Sequence, residues 1–210
     1  MIFKICGLKN KKSLLCCEKN NADFFGMIFY EKSPRNITFN EAKTLTSTSE
    51  KLRIRPVGVF VDHEINDLKR IISSLGLKHI QLHGNEDQSY IDQIKKQFDV
   101  KIIKKISINN SNDLSEIEKY NNIEYLLFDY KPCNEELPGG NSKSFDWSLL
   151  KDQKFKLPWF ISGGINETNI KKIQNLSNPD GIDLSSGVEV SKGIKSNSKI
   201  NSLLKKFYDN

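Results

Sequence analysis

Short apolar runs alternate along this chain with longer segments in which apolar residues recur at helical spacing, eight times in 210 residues. Each run is brief and mostly apolar, as fully buried parallel strands are. The predicted strands are residues 2–6, 24–29, 57–61, 79–82, 100–106, 123–128, 157–161 and 181–184. Strands that alternate with helices in this way run parallel and are joined by right-handed crossovers.

The segments between the strands predict amphipathic crossover helices. Their apolar residues fall on one helical face around residues 65–75, 91–98, 170–176 and 200–207. Eight such units in 210 residues favour a closed α/β barrel of the (β/α)8 or TIM type, and the alternative is an open doubly wound sheet. No linker or break in composition divides the chain, so we expect a single domain over residues 1–210. The long connection 129–144 is predicted to be a mobile loop.

Two neighbouring loops predict a phosphate site. In such a barrel, function lies on the loops that follow the carboxyl ends of the strands. Gly163 and Gly164 follow the seventh predicted strand, and Ser185, Ser186 and Gly187 follow the eighth. Glycine lets the backbone approach an anion, and the start of a short helix supplies aligned N–H donors. Either loop alone is typical of a turn, but together they indicate a small phosphorylated substrate.

Cys6 and Asp129 stand at the ends of apolar strands on the same predicted rim. An isolated cysteine there is an ordinary buried thiol, unless nearby cations or amide dipoles lower its pKa and make it a base. For Asp129, burial would raise the pKa and make the carboxyl a proton donor, and the alternative is a cap for the next loop. The two residues are therefore the candidate base and acid.

Arg35 and His83 are candidate contacts for an anionic substrate. Arg35 is the one arginine predicted on a rim loop, because Arg53, Arg55 and Arg70 fall in or beside helical segments. A guanidinium suits bidentate capture of a carboxylate or phosphate, with a surface salt bridge as the alternative. His83 is either a substrate contact or a satisfied polar residue at a strand end. No second histidine lies close to it in sequence, so no metal site is predicted.

The charge pattern and the cysteines argue against several classes of protein. The net charge is +6, but the cations are mostly lysines spread along the chain, whereas a nucleic-acid site needs them clustered and interleaved with aromatics. No apolar run approaches the roughly 20 residues of a membrane-spanning helix. The four cysteines have neither a disulfide nor a zinc spacing. We therefore expect a cytoplasmic protein with free thiols and with no nucleic-acid, membrane or metal partner.

Seven blocks of sequence occur in the order in which one known family has them. They are K-I-C-G-L from Lys4, G-M-I-F-Y-E-K-S-P-R from Gly26, Q-L-H-G from Gln81, L-F-D from Leu127, G-G from Gly139 with F-D-W after it, I-S-G-G-I-N from Ile161 and G-I-D-L-S-S-G-V-E from Gly181. Each block alone is weak evidence, but the first, second and last together are highly specific. On these blocks, from about residue 4 to about residue 195, the chain resembles the phosphoribosylanthranilate isomerases of tryptophan biosynthesis.

The resemblance implies a cofactor-free Amadori rearrangement, in which N-(5-phosphoribosyl)anthranilate becomes 1-(2-carboxyphenylamino)-1-deoxyribulose 5-phosphate. In that family the residue matching Asp129 is the general acid that protonates the ribose ring oxygen. The residue matching Cys6 is the general base that takes a proton from the second sugar carbon. Arg35 is implied to hold the anthranilate carboxylate. The implied phosphate contacts are the amides near Gly163, Gly164, Ser185, Ser186 and Gly187, with His83 and Asp183 as supports at the rim.

One block departs from the family pattern. Members usually carry G-G-[ST]-G before F-D-W, and here Ser142 stands where the last glycine is expected. Because fewer glycines give less backbone freedom, we expect this change to affect loop closure and turnover rate and to leave the chemistry intact. For the assembly we expect a monomer, and a dimer is the alternative.

Three other functions stay open at the level of sequence. Indole-glycerol-phosphate synthase is a related barrel that needs a catalytic lysine inside the barrel at a strand end, and Lys4, Lys101, Lys104 and Lys105 lie within predicted strands. A histidine-pathway isomerase performs a similar Amadori reaction, but with two aspartates, so the cysteine argues against it. A non-enzymatic barrel would keep the phosphate site without chemistry, and the presence of both the acid and the base argues against that.

Overall fold

The computed structural model describes residues 1–133, 136–176 and 178–208. Eight parallel strands follow one another around a closed barrel in chain order, and the last pairs with the first. They are β1 (Ile2–Cys6), β2 (Phe24–Phe29), β3 (Arg55–Phe60), β4 (His79–Leu82), β5 (Lys101–Ile108), β6 (Tyr125–Tyr130), β7 (Trp159–Ile161) and β8 (Gly181–Leu184). This confirms the predicted (β/α)8 barrel.

Four strands have the predicted bounds, and the other four differ by up to two residues at an end. β5 and β6 continue beyond their apolar runs, through Ser107 and Asp129, because alternate side chains of a barrel strand face the interior, where polar groups lie near the rim. β3 begins at Arg55, two residues before the predicted start. The prediction that Arg55 lies in or beside a helical segment is therefore wrong: its guanidinium lies over the Phe24 ring, 4.5 Å from the centroid.

The described residues form six α-helices around the barrel. They are α1 (Lys11–Lys19), α2 (Phe39–Ser49), α3 (Ile65–Leu75), α4 (Gln88–Lys95), α5 (Ile170–Leu176) and α6 (Asn197–Tyr208). The four predicted helical segments correspond to α3–α6. Helices α1 and α2 escaped prediction because their apolar stripes are weak; α2 buries two hydroxyl residues, Thr46 and Ser49, beside Ala42 and Leu45.

Shorter elements complete the connections. The crossovers after β5 and β6 contain 3-10 segments, Ser111–Lys119 and Trp147–Leu150, in place of α-helices. A third 3-10 turn, Ser186–Val188, follows β8 and leads into a hairpin of β9 (Glu189–Ser191) and β10 (Ile194–Lys195). Within the predicted mobile connection 129–144, residues 134 and 135 lie outside the described residues.

Side-chain caps fix where several helices begin. Asn10 accepts a hydrogen bond from the Ser13 amide at the start of α1, and Thr38 and Glu41 form a reciprocal capping box at the start of α2. Asp87 accepts from the Tyr90 amide at the start of α4. These caps satisfy amides that have no partner within the helix, so each strand-to-helix turn has a defined length.

Two apolar clusters hold the barrel together. The larger lies between the strands and the helices, and the smaller fills the barrel interior. The interior cluster consists of Cys6, Phe24, Val57, Val59, Ile103, Leu127 and Phe160. Because this cluster fills the middle of the barrel, the polar interior side chains are left at its ends. None of the helices in the described ranges has the length and apolar character needed to cross a membrane.

Candidate active site

A cavity opens at the carboxyl ends of the strands. Nine of the ten predicted site residues line it: Cys6, Arg35, His83, Asp129, Gly163, Gly164, Asp183, Ser185 and Ser186. The tenth, Gly187, is not in this lining and packs closely against the Ile165 carbonyl oxygen. The barrel thus brings residues from both ends of the chain to one site.

The Cys6 thiol ends β1 and is 5% exposed. It leans towards β2, where Gly26 provides the space: a Cβ at Gly26 would lie 2.7 Å from Sγ. Burial raises the pKa of Cys6 above its ordinary value, although the positive charges of Lys4 and Lys195 act in the opposite direction. The free site therefore does not meet the condition under which nearby cations would make Cys6 a base, because the lost hydration of a thiolate outweighs the attraction of the two cations.

Asp129 and His83 form a pair across the rim between β6 and β4. Asp129 Oδ2 lies 3.4 Å from His83 Nε2, and Oδ1 accepts the Tyr130 amide at 2.9 Å. The Gln81 amide nitrogen lies 2.7 Å from His83 Nδ1. Since that amide nitrogen only donates, His83 accepts at Nδ1 and directs its Nε2–H towards Asp129.

The pair sets the ionisation of both groups. Burial alone would raise the pKa of Asp129, but the hydrogen bond from His83, with Lys105 nearby, holds it below its ordinary value. The predicted upward shift for Asp129 is therefore wrong for the free site. Burial lowers the pKa of His83, against the pull of Asp129. In the free site Asp129 is a carboxylate beside a neutral imidazole.

Arg35 is buried in an ion pair. It lies between β2 and α2, is 2% exposed, and donates from Nε and Nη2 to the two oxygens of Glu189 at 2.8 and 2.9 Å. Lys195 also reaches Glu189, at 2.7 Å, and donates to the Ser185 carbonyl oxygen at 3.0 Å. The Nε and Nη2 edge of Arg35 is therefore occupied by Glu189, and the salt bridge that was the alternative is present but buried.

Asp183 is neutralised by a lysine of the adjacent strand. Lys4 and Asp183 are directly paired in the β1–β8 register, and Lys4 Nζ lies 2.9 Å from Asp183 Oδ1. Lys4 has no solvent exposure. Burial raises the pKa of Asp183 above its ordinary value even against the attraction of Lys4. The rim therefore carries a second buried ion pair close to Cys6.

The two predicted phosphate loops lie side by side, because β7 and β8 are paired. Gly163 and Gly164 have φ of +87° and +64°, a left-handed conformation that side chains disfavour. Ser185 precedes the Ser186–Val188 turn, which confirms the predicted short helix after β8. The Ser185 hydroxyl donates to the Cys6 carbonyl oxygen at 3.2 Å, which ties the second loop to β1.

The connection after β6 crosses the mouth of the cavity. Gly139 lies against the His83 ring and Gly140 against the Arg35 guanidinium. Ser142, the residue that departs from the family pattern, has φ of +59°. The backbone thus adopts at this serine the left-handed conformation that glycine favours.

Several charged residues of the site were missed by the sequence analysis as members of it. Glu86 accepts from the Asp62 and Gly84 amides and pairs with Lys104 at 2.7 Å, so it fixes the turn after His83. Glu189 and Lys195 escaped notice because they act from a hairpin beyond the last strand. The sequence signal that could have revealed such partners is a lysine inside an apolar run, because a buried lysine charge needs a buried acidic partner.

The lysines of β5 differ in orientation and exposure. Lys101 is exposed at the start of β5, and Lys104 points away from the interior, as its alternation with Ile103 requires. Lys105 faces inward near Asp129, and burial lowers its pKa. Lys105 is thus the inward lysine near the rim that the synthase alternative required. In the part of the chain that the structure describes, no three His, Cys, Asp or Glu side chains form a group that would hold a metal.

A family model described as N-(5'phosphoribosyl)anthranilate (PRA) isomerase matches residues 3–206. The chain belongs to this family. The N-(5'-phosphoribosyl)anthranilate isomerase of Zymomonas mobilis is 41% identical over 199 residues, which cover 94% of this chain and 93% of that protein. The one from Paramagnetospirillum magneticum is 35% identical over 204 residues, 96% of this chain and 94% of the relative.

Solved structures agree with the PRA isomerase assignment. The crystal structure of phosphoribosyl anthranilate isomerase from Thermotoga maritima has a TM-score of 0.88 and 29% identity, with both chains fully covered. A phosphoribosyl anthranilate isomerase in complex with reduced 1-(o-carboxyphenylamino)-1-deoxyribulose 5-phosphate has a TM-score of 0.84 and 28% identity, again over both whole chains. Another structure is of monomers generated from the dimeric T. maritima enzyme, so the expected monomer stays a prediction here. Membership in this family favours an isomerase of tryptophan biosynthesis over the synthase and over a barrel without chemistry.

Proposed function

We propose that this chain converts N-(5'-phosphoribosyl)anthranilate to 1-(2-carboxyphenylamino)-1-deoxyribulose 5-phosphate, with Asp129 as general acid and Cys6 as general base. The observation that carries the proposal is the placement of both groups on one cavity at the mouth of the barrel. They come from β6 and β1, which are separated by β7 and β8, so they address one substrate from different sides. A related isomerase binds a reduced form of the product, which supports the same substrate class for this chain.

The first step opens the ribose ring. Asp129 gives its proton to the ring oxygen as the bond from that oxygen to C1 breaks, and the nitrogen lone pair forms the C=N bond of a Schiff base. The free site holds Asp129 ionised. Asp129 takes up the missing proton from water when the substrate binds, because the negative charge of the substrate carboxylate and phosphate raises the pKa of Asp129.

The second step removes a proton from C2. The Cys6 thiolate takes this proton, the C–H electron pair forms a C1–C2 double bond, and the C=N pair moves to nitrogen. The resulting enolamine tautomerises to the ketone. Positioned acid and base groups of this kind contribute about 10²–10⁴-fold each to the rate.

Binding groups flank the two reacting residues. The loops at Gly163, Gly164, Ser185 and Ser186 are proposed to hold the phosphate with backbone amides, and Gly187 to support them by close packing. Arg35 is proposed to hold the anthranilate carboxylate through Nη1, since Glu189 receives Nε and Nη2. The net charge of Arg35, Lys195 and Glu189 together is positive, which suits an anionic substrate.

The direct test is product formation from freshly prepared phosphoribosylanthranilate. Cys6→Ala and Asp129→Asn are each expected to reduce kcat by about 10²–10⁴-fold while the unfolding midpoint changes little. Matched controls are Cys16→Ala, which is half-buried outside the cavity, and Asp67→Asn, which is exposed on α3. Normal turnover in both site variants would overturn the assigned acid and base.

Growth tests separate this reaction from the related Amadori reaction of the histidine pathway. The gene for this chain is expected to restore a tryptophan auxotroph that lacks the isomerase, and to leave a histidine auxotroph unrescued. The expectation rests on Cys6 as the base, since the histidine-pathway reaction uses two aspartates. Rescue of both strains would show that the site accepts a second, doubly phosphorylated substrate.

A further inference from the structure

A completely buried lysine lies directly below the proposed base. Lys4 and Cys6 are two residues apart on β1, so their side chains point to the same face of the sheet, the barrel interior. Two residues of a strand span about 7 Å, a distance that an extended lysine side chain covers. Lys4 has no solvent exposure, so neither water nor salt screens its charge. The mechanism proposed above makes no use of this residue.

Lys4 keeps its charge because of Asp183. Burial alone would lower the pKa of Lys4, but the carboxylate of Asp183, together with Cys6 when it is ionised, holds it above its ordinary value. The contact with Asp183 measures 2.9 Å and uses one of three N–H donors, so the ammonium retains donors for a further anion. A permanent positive charge is therefore fixed next to Cys6.

The other charged groups near Cys6 come from β8 and from the hairpin. Asp183 opposes ionisation of the thiol, and Lys195 at the end of β10 favours it. The Lys195 ammonium already lies against Glu189 and Ser185 at 2.7 and 3.0 Å. From β2, the neighbouring residue is Gly26, which brings no charge. Of the two cations, Lys4 has the larger effect on the pKa of Cys6.

We propose that Lys4 is a positioning residue that stabilises the Cys6 thiolate, and that Asp183 holds the Lys4 ammonium where it does so. The proposal rests on the proposed function for its meaning in catalysis. Lys4 does not touch substrate and exchanges no proton. The thiol loses its proton to water, the thiolate later takes the proton from C2 of the opened sugar, and Lys4 remains an ammonium throughout.

The test measures the ionisation of Cys6 without using turnover. In a chain in which Cys16, Cys17 and Cys133 are replaced by Ser, Ala and Ser, the rate of alkylation by iodoacetamide is followed against pH, and the ultraviolet absorbance of the thiolate is recorded in parallel. Lys4→Gln is expected to move the midpoint upward by about one pH unit or more, since its amide still donates to Asp183 but carries no charge. Asp183→Asn is expected to move the midpoint upward as well, because the Lys4 ammonium loses the carboxylate that keeps it charged and in place, and Lys4 affects the thiol more than Asp183 does.

The kinetic counterpart separates positioning from binding. Lys4→Gln is expected to lower kcat at neutral pH by about tenfold or more, in line with the loss of thiolate, with KM within threefold of the parent. Raising the pH is expected to restore part of the lost kcat. A structural role alone would move neither the alkylation midpoint nor this pH dependence.

Lys104→Gln is the matched control, because Lys104 is also almost fully buried in an ion pair but points away from the barrel interior. It is expected to leave the alkylation midpoint of Cys6 within about 0.3 units of the parent. An unchanged midpoint in Lys4→Gln, or equal shifts in both lysine variants, would overturn the proposal. If Lys4→Gln does not fold, a midpoint in Asp183→Asn that fails to rise overturns it instead. Full activity of Cys6→Ala would overturn only the assigned base, since alkylation reads the thiol directly.

Discussion

The two ends of the barrel interior are built from different kinds of side chain. At the amino-terminal end, Phe24 packs edge-on against His79, Tyr125 and Phe160 at centroid distances of 5.1, 6.4 and 6.2 Å, with Arg55 over its face. At the carboxyl end, two buried ion-pair clusters surround an open cavity. Aromatic rings exclude water from the amino-terminal end, whereas the carboxyl end holds buried charges.

The difference separates stability from chemistry within one interior. Packed rings need no partner and gain both from burial and from edge-to-face contact. Buried ions recover in mutual attraction only about what they lose in hydration, so they add little stability. They do fix charges where a reaction needs them, without reorganisation when the substrate arrives. Removing one charge should therefore damage the carboxyl end, and adding one should damage the amino-terminal end.

The largest expected effect follows from removing the charge of Glu189. Glu189→Gln leaves Arg35 and Lys195 as two buried cations without their shared anion, which is expected to cost about 3 kcal/mol of unfolding free energy. Urea denaturation measures it. The matched control is Glu116→Gln, whose partner Lys119 is exposed on the surface, with an expected cost of less than about 1 kcal/mol. Equal losses of unfolding free energy in the two variants would show that the buried charges at the carboxyl end are no more dependent on their partners than exposed surface charges are.

The amino-terminal end should be sensitive to acid because of His79. Burial, with the positive charges of Arg55 and Lys101, lowers the pKa of His79 from 6.5 to about 4. The folded state therefore favours the neutral ring, while the unfolded chain binds a proton from about pH 6.5 downward. Stability present above pH 6.5 is lost as the pH falls towards 4, by up to about 3 kcal/mol.

His79→Phe removes this titration. Its unfolding midpoint is expected to depend less on pH between 6.5 and 4 than that of the parent, as measured by thermal denaturation at matched ionic strength. His63→Phe is a useful control, since this histidine lies beyond the other end of the barrel, after β3. Identical acid sensitivity of the parent and His79→Phe would show that the charge of His79 is not excluded from this end.

A smaller effect is expected from filling the space beside the base. In Gly26→Ala the new Cβ would lie 2.7 Å from Cys6 Sγ, so the thiol must move. Because misplacement by about 1 Å costs up to about 10²-fold in rate, we expect kcat to fall ten- to a hundredfold. Steady-state kinetics measure it, with Gly76→Ala, at the end of α3 and far from the cavity, as the control for a lost glycine. Unchanged kcat would mean that the position of the thiol is not restrained by β2.

The smallest effect is expected at Ser142. Its φ of +59° costs a non-glycine residue about 1 kcal/mol, which Ser142→Gly relieves. We expect the more mobile loop to change kcat by less than about fivefold, the factor that 1 kcal/mol corresponds to, and to leave the pH dependence as it was. A change in the pH profile would mean that the loop also sets the ionisation of the acid or the base.

The barrel could be predicted from the sequence because the strand and helix pattern repeats eight times. An error of two residues at the end of a strand therefore does not change the predicted fold. The sequence also placed Cys6 and Asp129 at the rim, since strand ends are visible as the ends of apolar runs. It did not predict the direction of either pKa. That depends on burial, on Lys4 two residues before Cys6 on β1, and on His83 and Lys195, which reach the site from the end of another strand and from a hairpin.

Partners distant in sequence were equally hidden. Arg35 was singled out as a binding cation, but nothing local shows that Glu189, 154 residues further on, takes its bidentate edge. Likewise the weakly apolar α2 was missed, because its capping box and its buried hydroxyl groups decide its structure more than its periodicity does. Ion pairs between distant segments form only when the barrel closes, so no single segment of the sequence shows them.

The pair between Lys4 and Asp183 joins the first strand to the last, 179 residues apart. The lysine that adjusts the base therefore gains its counter-ion only when the final strand closes the ring. A chain with seven strands in place would have its cysteine and its aspartate, yet would lack the electrostatic setting of the thiol. We therefore expect a barrel that has not closed at β8 to lack the reactivity that we propose for the Cys6 thiol.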